Sequence, residues 1–325
     1  MRGKIGQLLT GLFLLVAVAL LGWWSRQELL ASAKLQALES PLAPQELSQV
    51  LKEPYKFVAF GDWGAGTPFQ QDVASQLAME LDKDPYEAAL LLGDNIYPDG
   101  NIQKFGKPYF TDMYGALIRQ NVHFIVAIGN HDIVGGHQAD QLSFFKMPGY
   151  YYSVKKPGVE FFVIDTNHFA NDQVQQQWLK QALSASTSTW KAVVGHHPVY
   201  SSGEHGSNQG LKDTLEPLLI DYRVNLYLAG HDHNYERFKP IHGVQYIVSG
   251  GGGAYLRNVD KPLPQSLIYL KAHHFLDFEL KGNQLKMRVV DKTGSTIDQA
   301  QWVQPALRPQ ALPHKKQACV RKCVR

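Results

Sequence analysis

The feature that most constrains the fold is an alternation of short apolar runs and helical patterns that begins at Tyr55. Each apolar run is rich in β-branched or aliphatic residues and ends at glycine, aspartate or another polar residue. Short, bounded runs of this kind predict buried strands. The predicted strands are Lys56–Phe60, Ala88–Leu92, His123–Ile128, Glu160–Ile164, Trp190–Val194, Leu226–Ala229 and Val244–Val248.

Helical patterns lie between these strands, and strand alternating with helix predicts an α/β sandwich. The predicted helices are Phe69–Leu81, Tyr109–Gln120, Gln173–Ser184 and Leu211–Tyr222. Residues 272–303 differ, because Phe275–Leu280 and Lys286–Asp291 predict an antiparallel pair of strands around Gly282-Asn283.

The chain is predicted to have four parts. Residues 1–33 are a targeting segment, in which Arg2 and Lys4 precede an apolar run from Leu8 to Trp24. This segment is either an uncleaved membrane anchor or a cleaved signal peptide, and both place the rest outside the cytoplasm, membrane-anchored or secreted. Residues 34–54 are a polar linker, 55–303 form one folded domain, and 304–325 are a basic tail with a disordered composition.

Charge and cysteine content exclude two classes of function for the folded domain. The net charge of +3 depends on six basic residues in the last twenty and on Arg2 and Lys4, so the remainder carries about −5. We therefore expect no nucleic-acid partner. Both cysteines, Cys319 and Cys323, lie in the tail, so the domain has neither thiolate metal ligands nor disulfides.

Five polar clusters directly follow predicted strands. They are Gly61-Asp62-Trp63-Gly64, Gly93-Asp94-Asn95-Ile96-Tyr97, Gly129-Asn130-His131-Asp132, Gly195-His196-His197-Pro198 and Gly230-His231-Asp232-His233. The carboxyl ends of strands in an α/β sheet are where ligands bind. Taken singly, each Gly-Asp favours a turn or helix cap. Five clusters in the same context favour a shared site instead.

The side chains of these clusters offer carboxylate, amide, phenol and imidazole groups, a ligand set that suits iron, manganese or zinc. The set is too rich in nitrogen for a dedicated calcium or magnesium site. A pair of metal ions needs a bridging ligand, and Asp94, in the middle of the set, is the candidate. His197 need not be a ligand, because adjacent residues tend to point apart.

The order Asp-x-Gly, Gly-Asp-x-x-Tyr, Gly-Asn-His-Asp, Val-x-x-His and Gly-His-x-His resembles the purple acid phosphatases within the calcineurin-like metallophosphoesterases. The small, tartrate-resistant type is the most similar, and Glu204-His205-Gly206 also resembles a segment of that type. The resemblance covers about residues 55–300. It implies a four-layer α/β/β/α sandwich of two mixed sheets flanked by helices, with a dinuclear metal centre.

The resemblance also implies a role for each site residue. Asp62, Tyr97 and His233 would hold Fe(III), and Asp94 would bridge. The divalent ion (Fe, Zn or Mn) would be held by Asn130, His196 and His231. His131 and His205 would face the phosphate. The implied activity is acid phosphatase hydrolysis of phosphomonoesters, on small molecules or phosphoproteins, by a hydroxide held on the metals.

The resemblance has two departures and leaves two alternatives. His197 stands where the small type usually has tyrosine, and the domain lacks a cysteine pair. One alternative is a phosphodiesterase or nucleotidase on the same scaffold. The other is a non-catalytic, membrane-tethered binding protein. No Gly-x-Ser-x-Gly or phosphate-loop motif is present to favour another class of hydrolase.

Overall fold

A computed structural model describes residues 54–258 and 261–304. The predicted targeting segment, nearly all of the predicted linker and the cysteine-containing tail lie outside these residues. Within the described ranges, no helix has both the length and the apolar character needed to cross a bilayer.

The described residues form two mixed sheets. The strands are β1 (Tyr55–Phe60), β2 (Ala88–Leu92), β3 (His123–Ala127), β4 (Tyr152–Lys156), β5 (Val159–Val163), β6 (Trp190–Val194), β7 (Leu226–Ala229), β8 (Tyr235–Phe238), β9 (Gln245–Ser249), β10 (Ser266–Leu270), β11 (His274–Lys281), β12 (Gln284–Asp291) and β13 (Thr296–Val303). The first sheet has the order β13-β12-β11-β1-β2-β3, and the second has the order β10-β8-β9-β7-β6-β5-β4. In the first sheet β1, β2 and β3 are parallel and β11, β12 and β13 add an antiparallel half. In the second sheet the central strands β5, β6, β7 and β9 are parallel, and antiparallel strands complete both edges.

Helices flank the sheets, so the predicted α/β fold with two mixed sheets is confirmed. The helices are α1 (Pro68–Lys83), α2 (Ile102–Gly106), α3 (Gly115–Arg119), α4 (Asn130–Val134), α5 (Gln138–Phe145), α6 (Gln173–Ala185), α7 (Gln209–Thr214) and α8 (Glu216–Asp221), with a π-helical turn at Lys107–Thr111 and a 3-10 turn at Phe169–Asn171. The start of α1 follows from its sequence. The Thr67 hydroxyl accepts the Gln70 amide at 3.1 Å, and Pro68 occupies the first turn, where no N–H is needed.

Alternate residues of the central strands serve two separate cores. On β5, Phe161 packs edge-on against Phe57 of β1 at 5.1 Å between ring centroids, which joins the facing sheets. The next residue, Phe162, belongs to a second core with Leu179 and Leu183 of α6. Strands buried on both faces must be apolar throughout, which explains why the predicted runs were continuous rather than alternating.

Two predicted helices are interrupted in the structure. The segment Leu211–Tyr222 divides into α7 and α8 because Pro217 has no N–H to continue the hydrogen-bond ladder. The segment Tyr109–Gln120 divides into the π-helical turn and α3, and the break covers residues 112–114, immediately before Gly115. Four strands, β4, β8, β10 and β13, and three helices, α2, α4 and α5, had no predicted counterpart.

A buried ion pair links the two sheets at one edge. Arg237 of β8 donates to both carboxylate oxygens of Asp298 on β13, at 2.7 and 2.9 Å, and the Tyr235 hydroxyl donates at 2.6 Å. Burial alone would raise the pKa of Asp298, but these hydrogen bonds outweigh burial and lower it.

Candidate metal centre

The five predicted clusters meet between the two sheets. Asp62 follows β1, Asp94 and Tyr97 follow β2, and Asn130 begins α4 after β3, all from the first sheet. The three histidines come from the second sheet: His196 follows β6, and His231 and His233 follow β7. The site is therefore built from the carboxyl ends of strands in both sheets.

One group of candidate ligands surrounds the phenol of Tyr97. Its oxygen lies 3.2 Å from Oδ1 of Asp62, 2.9 Å from Oδ2 of Asp94 and 3.1 Å from Nε2 of His233. Nε2 of His233 is also 3.4 Å from Oδ1 of Asp62. The ligand atoms of Asp62, Asp94 and His233 all lie within 4.8 Å of one another, close enough to share one ion.

A second group surrounds Nε2 of His196. This nitrogen lies 3.0 Å from Oδ1 of Asn130, 3.2 Å from Nδ1 of His231 and 3.4 Å from Oδ1 of Asp94. Asp94 therefore has Oδ2 in the first group and Oδ1 in the second. All seven predicted ligands are brought together in this way, with Asp94 between the two groups.

Backbone carbonyls fix the protonation of two of these imidazoles. Nδ1 of His196 lies 2.9 Å from the Leu92 carbonyl, and Nδ1 of His233 lies 2.8 Å from the Tyr255 carbonyl. A carbonyl can only accept, so Nδ1 carries the proton in both rings. Each Nε2 then presents a lone pair to its group, which is the arrangement typical of metal-binding histidines.

The backbone around the ligands has an uncommon conformation. Asp62, Asp94 and His231 have positive φ angles of 57°, 50° and 71°. Such angles are uncommon for residues other than glycine, although aspartate and histidine adopt them more readily than most. They cost about 1–3 kcal/mol each and are concentrated at functional sites.

Glycine is required at Gly129 by a close approach. A Cβ atom built there would lie 2.2 Å from both the amide nitrogen and Oδ1 of Asp94. The space that a side chain would fill is therefore occupied by the proposed bridging carboxylate.

Burial and charge perturb the site's pKa values in opposite directions. Burial, followed by the charges of Asp62 and Asp94, raises the pKa of Tyr97 well above its ordinary value. Burial, followed by the charge of His196, depresses the pKa of His231 far below its ordinary range, so this imidazole is neutral. For Asp62, burial is outweighed by hydrogen bonding and charge from His233 and His196, and its pKa is lowered.

The residues present fit a pair of cations. Asp62 and Asp94 are almost fully buried, and no Lys or Arg in the part of the chain that the structure describes forms an ion pair with either. Buried carboxylates without such partners are costly unless a cation is bound. Oxygen and imidazole donors together suit iron, manganese or zinc.

His131 and His205, predicted to face the phosphate, both lie beside the ligands. The amide of His131 donates to Oδ1 of Asp94 at 2.8 Å, and its Nδ1 donates to the Pro98 carbonyl at 2.7 Å. No described residue forms a hydrogen bond with its Nε2. The His205 ring stacks on His231 with 4.2 Å between centroids.

His197, the departure from the small type, lies against the second group. Its ring centroid is 4.4 Å from that of His231, and its Nδ1 is 2.8 Å from the Thr166 hydroxyl oxygen. Burial, with the neighbouring His196, lowers the pKa of His197 to about 3, so its ring is neutral. His196, His197 and His231 place nitrogen atoms within 4.8 Å of one another.

Sequence reasoning missed the buried carboxylates that support the site. Asp132 accepts the amides of Gly129 at 2.8 Å, Asn95 at 2.9 Å and Ile96 at 3.1 Å, together with the side-chain amide of Gln141 at 3.0 Å. It therefore ties the loop after β2 to the loop after β3.

Asp232 holds the loop that carries His205 against the loop after β7. It accepts the His205 amide at 3.0 Å and the Ser201 hydroxyl. Both supporting aspartates belong to the motif clusters and are fully buried, but a sequence shows no difference between them and ordinary turn residues.

Comparison with known proteins assigns the family. Residues 55–235 match the calcineurin-like phosphoesterase family. The chain belongs to the calcineurin-like phosphoesterases. Within this family its relatives are purple and tartrate-resistant acid phosphatases, so the family predicted from the motifs is confirmed. Phosphoester hydrolysis at a dinuclear metal centre is the chemistry of this group.

Two relatives illustrate how much of the chain is shared. Tartrate-resistant acid phosphatase type 5 of Oryctolagus cuniculus is 30% identical over 266 residues, which are 70% of this chain and 82% of the relative. Purple acid phosphatase 7 of Arabidopsis thaliana is 26% identical over 301 residues, which are 82% of this chain and 90% of the relative.

Two solved structures share the fold of this phosphoesterase. Purple acid phosphatase PPD1 from yellow lupin seeds superposes with a TM-score of 0.70 at 20% identity, over 77% of this chain and 54% of that chain. GAP50, the anchor in the inner membrane complex of Plasmodium, also gives 0.70, at 24% identity over 78% and 90% of the two chains.

Proposed function

We propose that this phosphoesterase is an acid phosphatase that hydrolyses phosphomonoesters with an Fe(III) ion and a divalent ion of iron, zinc or manganese. The observation that carries the proposal is the position of Asp94, whose two carboxylate oxygens face the two groups of candidate ligands. Asp62, Tyr97 and His233 would hold the ferric ion. Asn130, His196 and His231 would hold the divalent ion.

A bound pair of cations supplies Lewis-acid activation of water and of the phosphate oxygens. The protein's own groups supply orientation and proton transfer. His131 has its Nδ1 committed to the Pro98 carbonyl, so only Nε2 can hold the proton that the leaving alkoxide needs. Burial, together with the carboxylates of Asp62 and Asp94, raises the pKa of Tyr97, so its phenol would bind as phenolate only beside a strongly charged cation such as Fe(III).

The substrates in this proposal are phosphorylated small molecules or phosphoproteins met outside the cytoplasm. That location depends on the predicted targeting segment in residues 1–33. The alternative of a non-catalytic binding protein is disfavoured by the complete set of seven candidate ligands. GAP50 is described as an anchor, but at 24% identity it shares only the fold with this chain.

The test measures metal content, visible spectrum and hydrolysis on the purified full-length chain. We expect two metal ions per chain, a visible absorption band that Tyr97→Phe removes, and hydrolysis of 4-nitrophenyl phosphate in preference to the bis-ester at acidic pH. Asp94→Ala should lose metal and turnover together. Asp112→Ala, which removes a half-exposed carboxylate that pairs with Lys107 and lies outside the five clusters, is the matched control.

Three outcomes would contradict parts of the proposal. A colourless, iron-free protein that is active with zinc or manganese would refute the ferric assignment and leave hydrolysis standing. Faster hydrolysis of the bis-ester would favour the phosphodiesterase alternative. A metal-loaded protein that hydrolyses neither ester would favour a binding protein.

A further inference from the structure

We propose that Arg257 binds a second anionic group of the substrate, so that the enzyme prefers phosphomonoesters whose leaving group carries a carboxylate or a further phosphate. This inference rests on the phosphatase function proposed above. It concerns a residue outside all five motif clusters, on the loop that connects β9 to β10.

The backbone of Arg257 is tied to the metal centre. Its amide donates to the carbonyl of His233 at 3.1 Å. Two residues earlier on the same loop, the carbonyl of Tyr255 accepts Nδ1 of the same histidine at 2.8 Å. The loop is therefore held on both sides of a candidate ligand, which fixes where the arginine side chain begins.

The guanidinium lies at the rim of the site, one ring beyond a candidate ligand. Nη1 of Arg257 hydrogen-bonds Nε2 of His205. The ring of His205 in turn stacks on His231 at 4.2 Å between centroids. The guanidinium is thus separated from the His231 ring by the ring of His205. From that position Arg257 reaches the leaving group rather than the phosphoryl group held at the ligands.

The positive charge at this rim belongs to Arg257 rather than to His205. An arginine can only donate, so Nε2 of His205 must accept the hydrogen bond, and a neutral His205 carries its proton on Nδ1.

Most of the arginine's hydrogen-bonding capacity is available. A guanidinium has five N–H donors, and among the described residues only His205 accepts one from Arg257. Among the described residues, the nearest carboxylate is Glu204, whose oxygen is 4.0 Å from Nε and whose side chain is 65% exposed. That distance is beyond a hydrogen bond, and such an exposed pair is worth little. The planar fork of donors suits a carboxylate or phosphate.

The test uses two substrates that differ by one anionic group. Glycerol 2-phosphate and 2-phosphoglycerate differ only by a carboxylate in place of a hydroxymethyl group. We expect the metal-loaded, full-length wild type to favour 2-phosphoglycerate, and Arg257→Gln to lower the ratio of the two kcat/KM values about tenfold, chiefly through KM. Arg257→Lys should keep part of the preference, and added salt should weaken it.

The matched control is Lys271→Gln. Lys271 follows β10 and donates to the side-chain oxygen of Asn258 at 2.8 Å, so it is a cation beside the same loop, and among the described residues it has no hydrogen bond to His205. Its removal should leave the ratio at the wild-type value. An equal fall in the Lys271 variant would overturn the proposal in favour of a general charge effect. An unchanged ratio in Arg257→Gln, even with slower hydrolysis of both substrates, would show that Arg257 only positions His205.

A binding measurement tests whether the second anionic group can be a phosphate. It also separates the role of Arg257 from the proposed phosphatase function. By calorimetry, the metal-loaded wild type should bind inorganic pyrophosphate more tightly than inorganic phosphate, and Arg257→Gln should lose most of that difference. If the wild type hydrolyses no phosphomonoester, the proposed function fails, and the difference between the affinities for pyrophosphate and phosphate alone decides the role of Arg257. If that difference persists in Arg257→Gln, the proposed role of Arg257 is overturned.

Discussion

Replacing Asp132 by asparagine tests whether a buried carboxylate, rather than the metal ions, holds the two central loops in place. Its Oδ2 accepts from Gly129, and its Oδ1 accepts from Ile96 and Gln141. In Asp132→Asn one oxygen becomes an NH₂ group, and either orientation places this donor against N–H groups that are already buried.

The expected loss follows from the hydrogen bonds. Two buried N–H groups without an acceptor cost about 1–3 kcal/mol each, and the remaining bonds lose the benefit of a charged acceptor. We expect unfolding to become easier by about 4 kcal/mol, which lowers the melting temperature by roughly 10 °C for a domain of this size. Burial and the neighbouring Asp94 raise the pKa of Asp132 to about 6, so the assay is run at pH 8, where the carboxylate is ionised.

The assay is urea unfolding of the metal-free protein, followed by titration with metal. Asp140→Asn is the control, because this half-exposed carboxylate on α5 accepts the Gln103 side-chain amide at 3.1 Å and lies 3.5 Å from Nδ1 of His137, both near the surface. That change should alter stability by about 0.5 kcal/mol or less. The variant at Asp132 should also bind metal more weakly. Wild-type stability without metal in Asp132→Asn would refute the reasoning, because the loops would then be held by other contacts.

Three further predictions concern separate features. Gly129→Ala should abolish metal binding while circular dichroism shows a folded protein, because its Cβ would overlap Asp94; full metal content in this variant would contradict the close approach. His197→Tyr should keep both metal ions, measured by mass spectrometry, but change KM several-fold; loss of one ion would instead identify His197 as a ligand. Asp298→Asn should destabilise the protein by about 2 kcal/mol at pH 7. The pKa of Asp298 is lowered on folding, so its carboxylate adds to the free energy of unfolding above the ordinary value of 3.8. This stabilisation is lost as the pH falls through the folded-state pKa. In urea unfolding, the stabilities of wild type and variant should therefore converge in acid.

The sequence located the candidate ligands because each one directly follows a strongly apolar strand. Such strands are recognisable, and their carboxyl ends meet at one end of the sandwich. The place of Asp62, Asp94 and His196 directly after a strand was therefore enough to predict that they lie at the site. The polar strands β4 and β13 were missed for the opposite reason, since their alternating residues resemble loops until a neighbouring strand buries one face.

Other features depend on contacts that no local pattern reveals. Asp132 and Asp232 look like turn residues in the sequence, and only the packing of several loops around them shows that they are buried acceptors. Arg257 contacts His205 across 52 positions of the chain, so its place at the rim was not predictable from spacing. The division of the ligands between two sheets was missed because facing sheets leave no signature in the order of strands.

The left-handed backbone at Asp62, Asp94 and His231 has a consequence for how this fold changes over time. At these positions glycine would relieve about 1–3 kcal/mol of strain each, at the loss of a candidate metal ligand. Asp62 and Asp94 also accept backbone amides, so at these two positions the relief of strain offsets the cost of the lost hydrogen bonds. In a lineage released from selection for hydrolysis, glycine at these positions would therefore remove the ligands at little net cost to the fold.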